Sequence, residues 1–416
     1  MTQTPHLADA AWLTQGDVAR LLALLNRDGE EARVVGGAVR NALLHIPVDE
    51  IDLATTALPD EVTRRVEAAG GKAIPTGIEH GTVTVVFDGR PFEVTTLRED
   101  VETFGRKARV AFGRDWKKDA ERRDFTINAL SAAADGVVHD YVGGLDDLAA
   151  RRVRFIGAPQ QRIEEDFLRI LRFFRFHAHF GHDHPDAAGL HACIVLRAGL
   201  ETLSRERVRG ELLKLLLAAH ATPTLAVMTE SGLLGIVLAG VGFLAGFENM
   251  CKVETALGVG ADPVRRLGAL AVWIAEDALR LTRRLRLANA ESDQLLALED
   301  WWRVTPETGA AAARALLYRL GPRAFTDRVL LAWARSRAGA ADGAWLGLAR
   351  LPDRWTAPVF PLKAADLMRR GIAAGPSLGA AMRAAEAAWI AADFPVDAAA
   401  VEAIADRASR DISETN

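Results

Sequence analysis

VVGGAVRNALLHIPVDEIDLATTA, residues 34–57, joins an apolar run to a Gly-Gly pair, an arginine and two carboxylates one residue apart. The segment Ala32 to Val35 reads as a strand, and Ala38 to Leu44 has helix-forming composition. Gly36 and Gly37 therefore fall at a strand-to-helix turn. Glycines there let the backbone approach a ligand, and the free N–H groups of a helix N-terminus suit an anion such as phosphate. Arg40, one turn into that helix, can add a two-pronged contact. Taken alone, a Gly-Gly turn serves chain geometry as readily as a phosphate.

Glu50 and Asp52 stand at i and i+2, which on a strand places both on one face. Two carboxylates so close repel unless a cation neutralises them, and hard oxygen donors suit Mg²⁺. Glu93, within PFEVTTLR, supplies a third acid among apolar strand neighbours. Three carboxylates around metal could clamp the attacking and leaving oxygens of a phosphoryl displacement. Nucleotidyl transfer fits this set better than hydrolysis.

Outward from this stretch the chain has two textures. Up to about residue 135, strands such as ARVV, TVTVVF and PFEVTTL alternate with amphipathic helices such as LPDEVTRRVEAAG. Beyond about residue 145, Ala, Leu and Arg dominate and strand patterns nearly vanish. The 416 residues exceed what one core usually serves, and 50% apolar with 25% charged residues is an ordinary globular balance. No apolar run reaches the ~20 residues of a membrane helix. Two cysteines, Cys193 and Cys251, and an N-terminus without an export pattern predict a reducing cytoplasm. The formal net charge of −4 points to no polyanionic partner, so affinity for nucleic acid must come from local basic patches.

GGAVRN, the EID acids with LATTALP, EVTTLR, RRDFTINAL and EEDFLRILRFFRF follow one another in an order and spacing that resemble the class II tRNA nucleotidyltransferase and poly(A) polymerase family of the polymerase-β superfamily. The likeness is dense over residues 30–180 and looser through SRERVRGELLKLL and PLKAADLMRRGIAAGPSLG. It implies an α+β fold: a polymerase-β-like head with a mixed sheet at 1–144, a helical neck at 145–215 that carries a base template, and a helical body and tail at 216–416 for tRNA. It also implies roles. Gly36, Gly37 and Arg40 would hold the triphosphate, and Glu50 and Asp52 the catalytic Mg²⁺, with Glu93 as the third acid. Arg123 would contact the nucleotide, Asp124 and Asn128 its ribose. Asp166 and Arg169 would read the Watson–Crick edge of C or A, and Arg172 and Arg175 would extend the arginine row.

The spacing of that row supports the last assignment independently. Asp166, Arg169, Arg172 and Arg175 follow at i+3 steps, adjoining positions on one helix face. Asp accepts from an exocyclic amine and Arg donates to ring nitrogen or carbonyl oxygen. An ordinary surface salt bridge beside the apolar stripe is the competing reading. Two positions depart from the family's pattern: Asn41 stands where an Asp is usual after the arginine, and Glu50 where the first acid is usually Asp.

The implied partners are the tRNA acceptor end, CTP and ATP, with no membrane and no obligate protein partner. FGRKARVAFGRDWKK, residues 104–118, carries six basic residues and one acid, where the family has a loop linked to the change from C to A addition. Arg265, Arg266, Arg280, Arg283, Arg284 and Arg286 form further patches that could track RNA or serve only as helix formers. Gly375-Pro376-Ser377 could seat a phosphate or simply cap a helix. The histidines 177, 179, 182 and 184 read as helix-end residues, and the tryptophans at 301, 302, 333, 345, 355 and 389 as helical core. CCA addition is the first reading, poly(A) synthesis the second, and a non-catalytic RNA-binding homologue the third.

Overall fold

In the computed structural model, which describes residues 5–104 and 107–415, a seven-stranded mixed sheet carries the N-terminal part. Its strands are β1 (Ala32–Val35), β2 (Asp52–Thr55), β3 (Lys72–Gly77), β4 (Thr82–Phe87), β5 (Arg90–Thr96), β8 (Ser131–Ala132) and β9 (Val138–His139), in the order β3-β4-β5-β2-β1-β8-β9. Only β2 and β5 pair in parallel, setting Asp52 opposite Glu93. The β4–β5 hairpin turns on Asp88 and Gly89, both at positive φ (46° and 82°). Asp-Gly meets the demand of a two-residue turn for left-handed backbone at both positions. β6 (Arg98–Phe104) and β7 (Lys107–Phe112) form a separate antiparallel ribbon. The basic segment 104–118 is thus partly ribbon rather than loop, and its Gly105 and Arg106 lie outside the described residues.

Gly36 leaves β1 at φ 69°, ψ −118°, a conformation open to glycine, and the helix Gly37–Leu43 follows. Its N–H donates to Leu130 O at 2.9 Å, which fastens the turn to the segment before β8.

After the sheet the chain is helical. The helix Leu168–Phe180 buries Leu168, Ile170, Leu171, Phe173, Phe174 and Phe176, and leaves Arg169, Arg172 and Arg175 as its half-exposed stripe. Phe173 and Phe176 pack with Phe125 and Phe155: ring centroids lie 4.8 Å apart for Phe125–Phe155 and 5.4 Å for both Phe155–Phe173 and Phe125–Phe176. This aromatic core fixes the helix against Asp124, the residue before Phe125. Asp166 does not belong to the helix. It is extended (φ −156°, ψ 107°) between the helices Pro159–Glu165 and Leu168–Phe180, and its Oδ1 accepts from Leu168 N at 3.1 Å. The i+3 reading holds for the three arginines and fails at Asp166, because a short acidic side chain satisfies the free N–H of a helix start better than it continues a helix.

Contacts divide the chain after Val237, so the expected head and neck share one unit. The second unit, from Leu238, is helical. Here Phe247, Met250, Leu267, Leu295, Phe325 and Trp333 are buried, and a smaller cluster of Leu367, Ala381, Ala385 and Ala405 joins the last helices. Its long helix Ala310–Arg335 breaks at Gly321 (φ 74°), with Pro322 starting the second half. Gly375 precedes the helix Pro376–Ala391 as its N-cap. Trp333, Trp345 and Trp389 are core as expected, but Trp302 is 48% exposed. Of the two readings open for the basic positions, Arg265 takes the structural one: it is buried, bonded to Glu254 and Asp327, and Arg266 is bonded to Glu254. No described helix is long and apolar enough to cross a membrane.

Candidate active site

A cleft of about 620 Å³ in the first unit is lined by Gly36, Gly37, Arg40, Glu50, Asp52, Arg123, Asp124, Asn128, Asp166, Arg169, Arg172 and Arg175. Residues picked from separate motifs thus meet around one space. Glu93 does not line it, although β5 sets it in register with Asp52. Arg122, Phe176, Arg207 and Lys214 do line it and were not singled out in the sequence.

At the acidic end, Glu50 and Asp52 are exposed on either side of buried Ile51, so alternation holds although β2 begins only at Asp52. Solvent reaches Asp52 along the cleft, yet the enclosing walls raise its pKa, and the carboxylates of Glu93 and Glu50 raise it further against the pull of Arg123. Such a pair has a standing demand for positive charge. Among the described residues no three His, Cys, Asp or Glu side chains come together as a metal cage. The donors are two carboxylates open to the cleft, which fits an ion such as Mg²⁺ that keeps waters and shares substrate phosphates.

At the basic end, Arg40 is 7% exposed. Its Nη1 donates to Asn128 Oδ1 at 2.5 Å, and its Nε and Nη2 donate to Asn41 Oδ1 at 3.2 and 2.8 Å. The guanidinium lies 3.9 Å from the Phe180 ring centroid. Burial, with Arg175 and Arg172 nearby, lowers its pKa to about 10. Asn41 therefore does what an aspartate there would do geometrically, orienting the arginine, but adds no charge. Gly36 explains its own identity further: a Cβ there would lie 3.3 Å from Arg123 Nη1 and 3.4 Å from Asn128 O.

Asp124 is the hub between the two ends. Its Oδ2 accepts from Arg172 Nε at 2.7 Å and Nη2 at 2.6 Å, and its Oδ1 from Asn128 Nδ2 at 3.2 Å and Phe125 N at 2.9 Å. Burial would raise its pKa, but Arg172 and these bonds outweigh burial and hold it below the usual carboxylate range. Glu211, 8% exposed on the helix Arg205–Leu216, accepts from Arg175 Nε at 2.5 Å and lies 3.9 Å from Arg172. Its position four residues after Arg207 was the available signal, since i and i+4 share a helix face.

Asp166 and Arg169, expected to read the base edge side by side, do not bond each other, so the competing reading of a salt bridge between them does not hold. Asp166 Oδ2 accepts from Arg207 Nη2 at 2.6 Å, while Arg169 Nη1 donates to Arg162 O at 2.6 Å and to Glu165. Both side chains still face the same cleft.

The family described as Poly A polymerase head domain matches residues 32–154, and that described as probable RNA and SrmB-binding site of polymerase A matches residues 189–241. Over 377 residues the chain is 33% identical to the mitochondrial CCA tRNA nucleotidyltransferase 1 of Mus musculus, covering 89% of this chain and 85% of that one. It is 32% identical over 379 residues to the CCA-adding enzyme of Limosilactobacillus fermentum, covering 87% and 89%. The crystal structure of the Bacillus stearothermophilus CCA-adding enzyme in complex with CTP superposes with a TM-score of 0.77 at 26% identity, covering 96% of this chain and 98% of that one. The likeness runs through the whole chain rather than the head alone, and on that ground the chain belongs to the CCA-adding tRNA nucleotidyltransferase family.

Proposed function

We propose that this protein adds C, C and A to the 3′ end of tRNA from CTP and ATP, without a nucleic-acid template and with release of pyrophosphate. One observation carries the reading: a single cleft joins an acid pair that demands cations to a row of arginines and an aspartate able to face a base.

In this reading the tRNA 3′-hydroxyl oxygen attacks the α-phosphorus, the bond to the β-phosphate oxygen breaks, the hydroxyl proton passes to solvent and pyrophosphate leaves. Glu50 and Asp52 would hold a divalent cation, most simply Mg²⁺, which would supply charge neutralisation at the reacting phosphate. Gly36 and Gly37 keep the turn free of side chains, and Arg40 and Arg123 offset the triphosphate charge. Asp124 and Asn128 orient the ribose. Asp166 and Arg169 read the base, with Arg172 and Arg175 extending the row. Glu93 acts on Asp52 by its charge. Positioning and electrostatics supply most of the rate, as in phosphoryl transfer generally. The head, neck, and body with tail would divide this work at 1–144, 145–215 and 216–416. Both cysteines are free, which suits a reducing compartment, and the cytoplasm is the simplest.

The test is incubation of the full chain with Mg²⁺, CTP, ATP and a labelled tRNA trimmed of its CCA, with products resolved to one nucleotide. Addition of C, C and A followed by a stop is the expected result. A ladder of A residues on many RNAs would mean poly(A) synthesis, and binding without extension would mean a site without chemistry.

A further inference from the structure

Asp166 and Arg169 line one cleft without bonding each other, and it is Arg207 that holds the carboxylate of Asp166. Arg207 comes from the helix Arg205–Leu216, within the stretch matched to an RNA-binding region, and lines the same cleft. Its Nη2 lies 2.6 Å from Asp166 Oδ2, and Leu168 N donates to Asp166 Oδ1 at 3.1 Å. Each oxygen of the carboxylate is thus tied, one to a helix start and the other to a guanidinium on a second helix. A carboxylate offers about four acceptor sites, so about two stay open toward the cleft. Asp166 needs such ties because it sits in extended chain between two helices, with no helical backbone to fix its direction.

We infer that Arg207 is the positioning residue for base choice, holding Asp166 so that its free lone pairs meet the exocyclic amine shared by cytosine and adenine. The inference rests on the reading that Asp166 faces the base. Uracil and guanine present a carbonyl oxygen at the corresponding edge, so an acceptor fixed there meets another acceptor. A carboxylate free to rotate away loses that repulsion together with the bond to the amine. A salt bridge that only braced the two helices would affect stability and leave base choice alone.

The experiment uses the full chain with Mg²⁺, trimmed tRNA and each of CTP, ATP, UTP and GTP in turn. Arg207→Ala is expected to raise KM for CTP and ATP about tenfold, with a smaller change in kcat, and to reduce discrimination against UTP about tenfold. Arg207→Lys should recover part of both, since it restores the charge without the planar fork. Should Arg207→Ala fail to fold, Arg207→Gln carries the same test. Combined with Asp166→Ala, Arg207→Ala should add nothing further, because both act through one contact. Unchanged KM and selectivity in a folded Arg207→Ala protein overturns the inference, as do independent, multiplying effects in the double variant. If Asp166→Ala alone leaves selectivity intact, the base-reading assignment itself fails. If it destroys selectivity while Arg207→Ala does not, only the role of Arg207 falls.

Discussion

Arg172 meets Asp124 with two nitrogens on one oxygen, Nε at 2.7 Å and Nη2 at 2.6 Å, and so ties the neck helix to the segment that follows Arg123. The aspartate is buried enough that losing the guanidinium leaves a carboxylate with only neutral donors. Arg172→Ala should cost about 2–4 kcal/mol in urea denaturation, below the full value of a wholly buried pair because the arginine is 32% exposed. The pH sign follows from the lowered pKa of Asp124. The contribution is fully present above the unfolded aspartate value near 4 and is lost as pH falls through the lower folded value. Loss of Arg172 also lets burial push the Asp124 pKa of the variant upward, so the gap between wild type and variant should be largest near neutral pH and shrink as pH falls.

Gly36→Ala should be costly for two separable reasons. Its backbone at φ 69° and ψ −118° strains any L side chain, at about 1–3 kcal/mol. The new Cβ would also press on Arg123 Nη1 at 3.3 Å. Thermal unfolding reads the first, and KM for CTP and ATP the second. Gly37→Ala separates the two: its Cβ would meet Arg40 Nη2 at 3.7 Å, an ordinary contact, so thermal stability should stay near wild type, while KM for CTP and ATP should rise because a methyl enters the phosphate-facing turn.

Asn41→Ala should raise KM for both nucleotides by about tenfold, because Arg40 loses the acceptor of its Nε and Nη2. Asn41→Asp retains an oxygen in place and should stay active. A wild-type KM in Asn41→Ala would show that the arginine keeps its aim without this bond.

Much of the site was legible because it lies in short local motifs. The turn at Gly36, the alternation around Ile51 and the arginine stripe of Leu168–Phe180 each follow from chain geometry over a few residues. Side-chain partnership across distance was not legible. Nothing at Asp166 reveals that Arg207 will hold it, 41 residues on, and nothing in an i+3 spacing reveals that the helix begins only after Asp166. Glu93 shows the same limit: its place on an apolar strand was readable, whereas its register opposite Asp52 depends on the parallel pairing of two separated strands.

That register has its own consequence. In metal-free protein Asp52 should titrate above the usual aspartate range, because the walls of the cleft and the carboxylates of Glu93 and Glu50 oppose its charge. A raised folded pKa means that the folded state holds a proton the unfolded state has released, so stability falls as pH rises through that interval. Glu93→Gln removes one repelling charge and should lower the Asp52 pKa, read from its carboxyl carbon by NMR. Asp52→Asn should raise the melting temperature while abolishing addition. An Asp52 titration unmoved by Glu93→Gln would break the link between the two strands. Binding of Mg²⁺ must displace the same proton, so affinity measured calorimetrically should fall at a higher pH than for an ordinary aspartate site.

The basic positions of the second unit divide by burial, and the division predicts opposite behaviour. Arg265 is 6% exposed: its Nη1 donates to Asp327 Oδ1 at 2.8 Å, its Nε to Glu254 Oε1 at 2.8 Å and its Nη2 to Gly260 O at 2.7 Å. Glu254 and Asp327 are each 1% exposed. Arg265→Ala leaves Glu254 with Arg266 but Asp327 with only the neutral Gln294, which should cost about 3–5 kcal/mol in denaturation followed by tryptophan fluorescence. The pKa of Asp327 is already raised by burial against the pull of Arg265, so removal of the arginine raises it further. The folded variant then binds protons that the unfolded chain releases, and its deficit should be larger at pH 7 than at pH 5. Under conditions where it is folded, its tRNA affinity should show the salt dependence of wild type, since a buried guanidinium displaces no counterions. Arg283 is exposed, and the contrast is direct: if the helix Ala275–Leu285 meets the tRNA backbone, Arg283→Ala should leave stability near wild type and reduce the slope of log affinity against log salt by about one. A changed slope in Arg265→Ala with normal stability would reverse the two assignments.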